Sequence, residues 1–339
     1  MLQAEPFNLF DYIFSLDHLV AAAHKCYANV KWKSQPQKFM NHIMLNCMSL
    51  RKDVYSGQYS MSPTTRFYVH ERGKTRNILP VAFRDRVVQR AICDNFLLDA
   101  TINYVIDDCS ACLKGRGISY ANNRVQMYAE QAEIDSWIVQ FDFHDYFHSI
   151  SIENMMGRIR EILKDERLLD IILTILSVGE EGIELGSHIS QLCAALYPTP
   201  MDKAIIAAPG VTGYHRYMDD GIIFCKTKED AQRTMSLLLE WIDKLGLQPN
   251  PKKTFYNRIT QPFVFCKIRY TKDKETGHVR KNVRKPQTRH CEQHIKRVLK
   301  LAETNPSINT EPLKASFKGY LMRGDANLDR LIEQTFGEK

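Results

Sequence analysis

The sequence predicts an α+β fold, and three observations lead there. Long stretches of the amino-terminal third repeat apolar residues every three or four positions, the period of a helix. Shorter β-branched and aromatic runs come in pairs around tight turns, the pattern of antiparallel strands. A 339-residue chain with 44% hydrophobic and 10% aromatic residues can also bury a substantial core, which argues against global disorder.

Taken in order, residues 8–32 and 37–56 read as helices, with Lys25, Lys31, Lys33 and Lys38 among them. Residues 65–70 (Thr-Arg-Phe-Tyr-Val-His) form a strand pattern, a turn follows at 71–74, and 75–80 is the return strand. Gly73-Lys74-Thr75 is not a P-loop, because Tyr68 stands where that motif requires glycine. A helix begins near Phe83 and runs to Leu98. Cys109-Ser110-Ala111-Cys112 raises a zinc or redox reading, but no second pair follows at finger spacing, so no metal is expected there. Lys114-Gly115-Arg116-Gly117 makes a basic turn before a helix over 119–132.

Residues 137–142 (Trp-Ile-Val-Gln-Phe-Asp) are a strand ending in an acid, a place where a metal-binding carboxylate is held rigidly. Asp142 could instead cap the helix over 150–163, although Ser149 and Ser151 are better placed to do so. After a helix over 167–177, the Gly- and Ser-containing stretch 182–191 leads into an apolar helix ending near Tyr197. Its N-terminus offers backbone N–H groups and a positive dipole end to a phosphate or nucleotide.

Arg216-Tyr217-Met218-Asp219-Asp220-Gly221-Ile222-Ile223-Phe224 reads as two short strands with adjacent acids at the turn between them. A solvent-facing Asp-Asp-Gly turn is the plain alternative. A rigid acidic pair can hold hard divalent cations, and two such ions ~4 Å apart can activate an attacking oxygen and stabilise a leaving one. A helix over 228–246, a turn at 246–254 and a strand over 262–268 follow. Between Lys252 and Lys300 stand fifteen Lys/Arg against three Asp/Glu, an excess suited to a phosphate backbone. Helices over 288–304 and 311–322 would present it. The whole chain carries a net charge of +7 with a pI near 8.8, which suits a polyanionic partner. Nine scattered cysteines, an odd number, fit a reducing cytosol better than a disulfide framework. No run approaches the ~20 apolar residues of a membrane span, and no signal peptide opens the chain.

From about residue 60 onward these segments resemble a reverse transcriptase. The markers are Arg76, the Phe83-Arg84-Asp85-Arg86-Val87-Val88-Gln89 segment, Gly115-Arg116-Gly117, residues 142–150, residues 186–191, Tyr217-Met218-Asp219-Asp220 and the 246–254 turn. Within that family, Gly186-Ser187-His188-Ile189-Ser190-Gln191 is similar to the enzymes of diversity-generating retroelements, where most relatives carry Pro after that Ser. The Phe265-Cys266-Lys267-Ile268 strand departs from the usual Phe-Leu-Gly-Tyr of the primer grip. It keeps antiviral reverse transcriptases of group II intron ancestry in view, whereas the carboxy-terminal motif of retron enzymes is missing.

The resemblance implies a right-hand polymerase: fingers with an N-terminal helical extension over 1–130, a palm with an antiparallel sheet over 131–268, and a helical thumb over 269–339. Asp142, Asp219 and Asp220 become catalytic, ligating two Mg²⁺ (Mn²⁺ as a substitute) with the Phe143 carbonyl. Lys74, Arg76, Asp145, Phe147, Gly186, Gln191 and Lys253 become contacts to the incoming nucleotide, with Phe147 crowding the sugar 2′-position. Arg116, Arg280, Lys281, Arg284 and Lys285 become nucleic-acid contacts. The implied partners are a template RNA, the RNA/DNA hybrid and a small basic accessory protein, in the cytoplasm of a bacterial or phage-infected cell and without a membrane. The resemblance also implies frequent misincorporation opposite template adenines. Two other readings stand beside it: a defence enzyme making DNA from its own noncoding RNA, and a maturase-like RNA-binding protein with a vestigial site. With the chain ending at the thumb, nicking and template removal would fall to other proteins.

Overall fold

The computed structural model of the chain describes residues 7–71, 74–179, 181–283, 293–297, 300–301, 303–305 and 330. The amino-terminal stretch folds into α1 (Leu9–Ile13), α2 (Leu16–Tyr27), α3 (Ser34–Asn41) and α4 (Ile43–Tyr55). Each of the two long helices expected there is broken once. Ser15 ends the first by accepting a hydrogen bond from the His18 N–H at 3.3 Å, so a new helix starts where periodicity alone would continue the old one. The second break falls at His42.

Next comes the hairpin β1 (Phe67–Glu71) and β2 (Lys74–Ile78), antiparallel with Val69 opposite Arg76. Then α5 (Phe83–Ile92) continues through a π turn over Cys93–Leu97 into α6 (Leu98–Tyr104), beyond the expected end at 98. The chain proceeds through β3 (Cys109–Ser110), α7 (Ile118–Gln131), β4 (Trp137–Asp142), α8 (Tyr146–Ser149), α9 (Ile152–Ile162), α10 (Glu166–Leu176) and α11 (His188–Leu196). The unanticipated α12 (Thr199–Ile206) begins with Pro200 in its first turn, where proline's missing N–H costs nothing. After it come β5 (Val211–Tyr217), β6 (Asp220–Cys225), α13 (Lys228–Lys244), β7 (Phe255–Arg258), β8 (Phe263–Phe265), β9 (Ile268–Lys272) and β10 (Val279–Val283).

The central sheet has the order β3-β5-β6-β4-β7, with β3–β5 parallel and the other pairs antiparallel. Both its faces are covered, and strand alternation sorts its side chains between two cores. Val139, Phe141, Ile223 and Cys225 join the large core with α5 and α9 to α13. Ile138, Ile222 and Phe224 join a smaller core with Ala121, Val125 and Ala129 of α7 and with Phe263, Phe265 and Tyr270.

That smaller core also carries the antiparallel sheet β10-β9-β8. Buried Lys272 fixes this sheet to α7 by donating to the Ala129 and Ala132 carbonyls at 2.7 and 2.6 Å, groups a helix end leaves unpaired. The division expected at 268/269 therefore falls inside a paired sheet, at the start of β9. Residues 293–297 are helical, within the helix expected over 288–304. The helix expected over 311–322 lies outside the described residues, as do Arg284 and Lys285. Among the described residues no helix is long and apolar enough to cross a membrane.

Candidate active site

The acids are positioned by strand register. Asp142 ends β4 and pairs across the ladder with Asp220, the first residue of β6. The turn before β6 is therefore Met218-Asp219, and Met218 takes the left-handed conformation at φ 57°. Gly221 has a different task from the turn glycine its position suggests. It faces Phe141 across the strands, and a Cβ there would lie 2.1 Å from the buried ring. Glycine makes room for Phe141, and the ring in turn supports the floor beneath the acids.

Several expected residues do come together here. The Phe143 N–H donates to the Asp219 carbonyl at 3.2 Å. The Lys253 ammonium contacts the Asp142 carboxylate and lies 3.7 Å from that of Asp220. Asn250, which the sequence presents only as a turn residue, is closely engaged with Asp142. Its backbone N–H donates to the Asp142 carbonyl at 2.7 Å and its side-chain amide to the carboxylate at 2.8 Å.

Asp142 is 3% exposed. Desolvation, a hydrogen bond with Asp142 and the nearby Asp219 push the Asp220 carboxyl up to about 7, although its side chain keeps 42% of its exposure. Burial works against the Lys253 charge, but contact with Asp142 outweighs it and raises the ammonium above its ordinary value. Among the described residues no group of three or more His, Cys, Asp or Glu stands arranged to hold a metal ion. Lys253 is the cation between the two facing carboxylates. The donor set nonetheless suits a hard divalent cation, because it consists of carboxylate oxygens that face each other across the ladder. Beside Asp220 opens a cleft of ≈ 470 Å³, lined among others by Gln140, Lys253, Phe255, Cys266 and Lys267.

The loop over 182–187, which holds Gly186, leads into α11. Ser187 caps that helix through the Ser190 N–H at 3.2 Å, while the Gln89 side-chain oxygen Oε1 accepts from Ser187 Oγ and the His188 N–H, both at 3.1 Å. The loop is pinned on both flanks. Gly182 sits so tightly on α8 that a Cβ would lie 2.3 Å from the His148 carbonyl, and the Ile183 N–H donates to the Phe147 carbonyl at 3.0 Å. On the other flank Arg66, just before β1, grips buried Glu184 with two hydrogen bonds of 3.1 and 2.5 Å. Gly186 (φ 106°) is close to the Leu79 carbonyl just after β2, 3.2 Å from where its Cβ would stand. The structure thus brings Phe147, Gly186 and the base of the β1–β2 hairpin to one loop. Lys74 and Arg76 lie on β2, opposite Glu71 and Val69.

The remaining sequence candidates are spread out. Gln191 accepts from the Cys112 thiol at 3.6 Å. Phe147 is half-buried beside the Tyr146 ring. Asp145 is exposed in a left-handed conformation (φ 44°), its carboxylate 2.8 Å from His148 Nδ1. Arg116, expected to meet nucleic acid, donates to the Ile106 carbonyl at 2.9 Å and to Asp107 at 3.0 Å. Arg280 and Lys281 stand exposed on the edge strand β10. Cys109 is buried and Cys112 exposed, both as free thiols.

Residues 63–270 match the family described as Reverse transcriptase (RNA-dependent DNA polymerase), whose members use divalent metal ions and bind RNA templates. The chain is also 25% identical over 171 residues to Protein YkfC of Escherichia coli (strain K12), covering 45% of this chain and 44% of that protein. It therefore spans less than half the length of that curated relative. The family match runs from just before β1 into β9 and takes in Asp142, Asp219, Asp220, Asn250 and Lys253 together. Covering more than half of the chain, it shows that the protein belongs to the reverse transcriptase (RNA-dependent DNA polymerase) family of nucleotidyltransferases.

Proposed function

We propose that this chain is an RNA-directed DNA polymerase that copies a structured template RNA, and that it serves a diversity-generating retroelement. The observation that carries the catalytic part is the facing pair Asp142 and Asp220, with Asp219 in the adjoining turn. Two Mg²⁺ ions, or Mn²⁺ in their place, would supply the positive charge that eases loss of the primer 3′-hydroxyl proton and neutralises the leaving pyrophosphate. Asp142, Asp219, Asp220 and the Phe143 carbonyl would hold them. Asn250 fixes the orientation of Asp142. Lys253, released from the carboxylates, supports departure of pyrophosphate. Lys74 and Arg76 hold the triphosphate, and a planar guanidinium suits either phosphate or base. Phe147 crowds the sugar, Gly186 and Gln191 line the pocket around the templating pair, and Asp145 borders it.

On this reading the central sheet is the palm, and the N-terminal helices and the β1–β2 hairpin belong to the fingers. The thumb is the basic segment that follows the palm, over 269–339. Exposed Arg280 and Lys281 start a basic track for the template RNA and its hybrid with DNA, with Arg284 and Lys285 next in sequence. A small basic accessory protein completes the assembly in the cytoplasm. The retroelement assignment rests on the Gly186 to Gln191 pattern. Cys266 and Lys267, left-handed at φ 46° and 71°, form the β8–β9 turn where relatives usually carry Leu-Gly. That departure in sequence keeps the defence enzyme as the second reading. The intact acids weigh against a vestigial site.

The test is DNA synthesis by the purified protein on a primed RNA with Mg²⁺ and deoxynucleotides. Wild type is expected to extend the primer, whereas Asp142→Asn or Asp219→Asn should lose at least about 10³-fold in rate and keep RNA binding. Near-wild-type turnover in either variant would remove the catalytic assignment. A near-duplicate repeat pair in neighbouring DNA, differing at adenines, would establish the retroelement role, and its absence would favour the defence role.

A further inference from the structure

Behind the acidic turn lies a buried charge that the reaction chemistry does not call for. Arg216, on β5, is 0% exposed, and so is its partner Asp202 on α12. Arg216 Nε donates to the Asp202 carboxylate oxygens at 2.8 and 3.1 Å, and Nη2 donates to one of them at 2.7 Å. Tyr214 adds a hydroxyl donor to Asp202 at 2.5 Å. The same Nη2 donates to the Ala195 carbonyl of α11 at 2.8 Å and lies 3.3 Å from Cys109 Sγ on β3. The other terminal nitrogen, Nη1, reaches forward to the Met218 carbonyl at 3.0 Å.

That last contact matters because of where Met218 sits. It is a non-glycine residue in the left-handed region at φ 57°, immediately before Asp219. A side-chain-bearing residue holds that conformation only where its surroundings impose it. A buried ion pair is moreover a poor source of net stability, since apolar residues of similar volume often serve as well or better. The pair therefore needs another reason to stand there, and the reach to Met218 supplies one.

We propose that Arg216, locked by Asp202, is a positioning residue that fixes the left-handed Met218 and thereby aims Asp219 and Asp220 at the reacting phosphate. This rests on the polymerase reading of the same site. Arg216 touches no substrate. It ties α11, α12 and β3, all anchored in the large core, to the one turn whose backbone direction sets both acids. Placement errors of about 1 Å at such a site can cost on the order of 10²-fold in rate.

The test replaces the whole pair, because removing Arg216 alone would leave Asp202 charged and buried without a partner. Arg216→Met/Asp202→Leu should stay folded, judged by a cooperative thermal transition, and keep RNA affinity and nucleotide KM. Its kcat should fall at least about tenfold. Arg216→Lys keeps a charge for Asp202 but lacks the fork that spans to Met218, so it should show the same split between kcat and KM and carries the test if the double variant does not fold. Amide hydrogen exchange over 217–220 should be faster in both variants, a readout that needs no polymerase activity. Wild-type kcat in a folded variant, or unchanged exchange at the turn, overturns the proposal. Failure of wild type itself to extend a primer sinks the polymerase reading, while the exchange result still decides whether Arg216 holds the turn.

Discussion

Asp142 and Asp220 face each other as register partners at the end of the β4–β6 ladder, and the Lys253 ammonium sits against the first and 3.7 Å from the second. One lysine thus partly balances a cluster of like charges. A divalent cation entering the cluster must displace that ammonium or share the carboxylates with it. Lys253→Met should lower thermal stability without divalent ions by on the order of 1 kcal/mol, because a half-exposed ion pair contributes little more. It should also enlarge the stabilisation that Mg²⁺ confers, by roughly 2 °C in Tm. Thermal unfolding with and without Mg²⁺ measures both. An equal Mg²⁺ shift in wild type and variant would mean that Lys253 does not compete at the site.

Arg66 and Glu184 connect the base of the β1–β2 hairpin to the loop before α11 through a bidentate contact. If Lys74 and Arg76 meet the triphosphate, the hairpin must be held at a fixed height above that loop. Arg66→Ala should raise nucleotide KM by roughly tenfold and lower kcat less, because it loosens binding and leaves the acids in place. Glu184→Gln, which keeps the shape and removes the charge, should give a milder effect of the same kind. A fall confined to kcat would show that the hairpin does not set nucleotide affinity.

Much of this arrangement is legible in the sequence wherever the signal is local. The strand ending in Asp142, the hairpin around Asp219 and the helix N-cap at Ser151 follow from period and capping chemistry over a few residues. What escapes is long-range. Asn250 lies 108 positions from Asp142, and a turn of Gly, Pro and Asn gives no sign that one amide will orient an acid. Gly221 reads as a turn residue because its neighbour across the ladder, Phe141, is far away in sequence. Ser15 is a local signal, but helical periodicity on both sides of it masks the break.

Phe147 stands half-buried where the loop over 182–187 meets α8. On the proposed reading its ring excludes a 2′-hydroxyl. Phe147→Ala should raise kcat/KM for ribonucleotides relative to deoxynucleotides by roughly tenfold or more, since discrimination by crowding disappears with the ring. Steady-state incorporation of matched ribo- and deoxynucleotides measures the ratio. Parallel losses for both sugars would make Phe147 a packing residue only.

Asp108 is expected to govern acid stability. Burial opposes its charge, but hydrogen bonds from His215, Arg124 and Tyr128 hold its carboxyl down at about 2, below its ordinary 3.8. Arg124 reaches both oxygens, at 2.6 and 2.7 Å. A depressed carboxyl stabilises the fold above its unfolded pKa and loses that contribution as pH falls through the folded one. The window is therefore about pH 4 down to about 2. Allowing for solvent screening, the contribution is of order 1 to 2 kcal/mol. Denaturant unfolding should show Asp108→Asn less stable than wild type at pH 7, with the gap closing as pH drops through this window. A constant gap would place the acid sensitivity elsewhere.

Gln191 carries the prediction about accuracy. Its side-chain oxygen accepts from the Cys112 thiol at 3.6 Å, and its backbone N–H donates to the Ser187 carbonyl at 3.2 Å, within the first turn of α11. Proline there would remove that N–H and stiffen the start of the helix. Glutamine leaves a mobile amide on a wall that, on the proposed reading, lies beneath the templating pair. A pocket discriminates through differential transition-state binding, so a penalty smaller by ~1.4 kcal/mol admits about tenfold more errors. Wild type should therefore misincorporate often, opposite template adenines on the retroelement reading, and Gln191→Pro should lower the error frequency by roughly tenfold. Gln191→Ala separates the two causes, because it keeps the N–H and deletes the amide. An error rate that falls in Gln191→Ala as well points to the side chain, whereas a fall in Gln191→Pro alone points to backbone stiffness. Sequencing the products made on one defined RNA by all three proteins gives the answer. A wild-type enzyme with few errors, spread evenly over the four template bases, would sink the mutagenic reading and leave the defence enzyme as the better account.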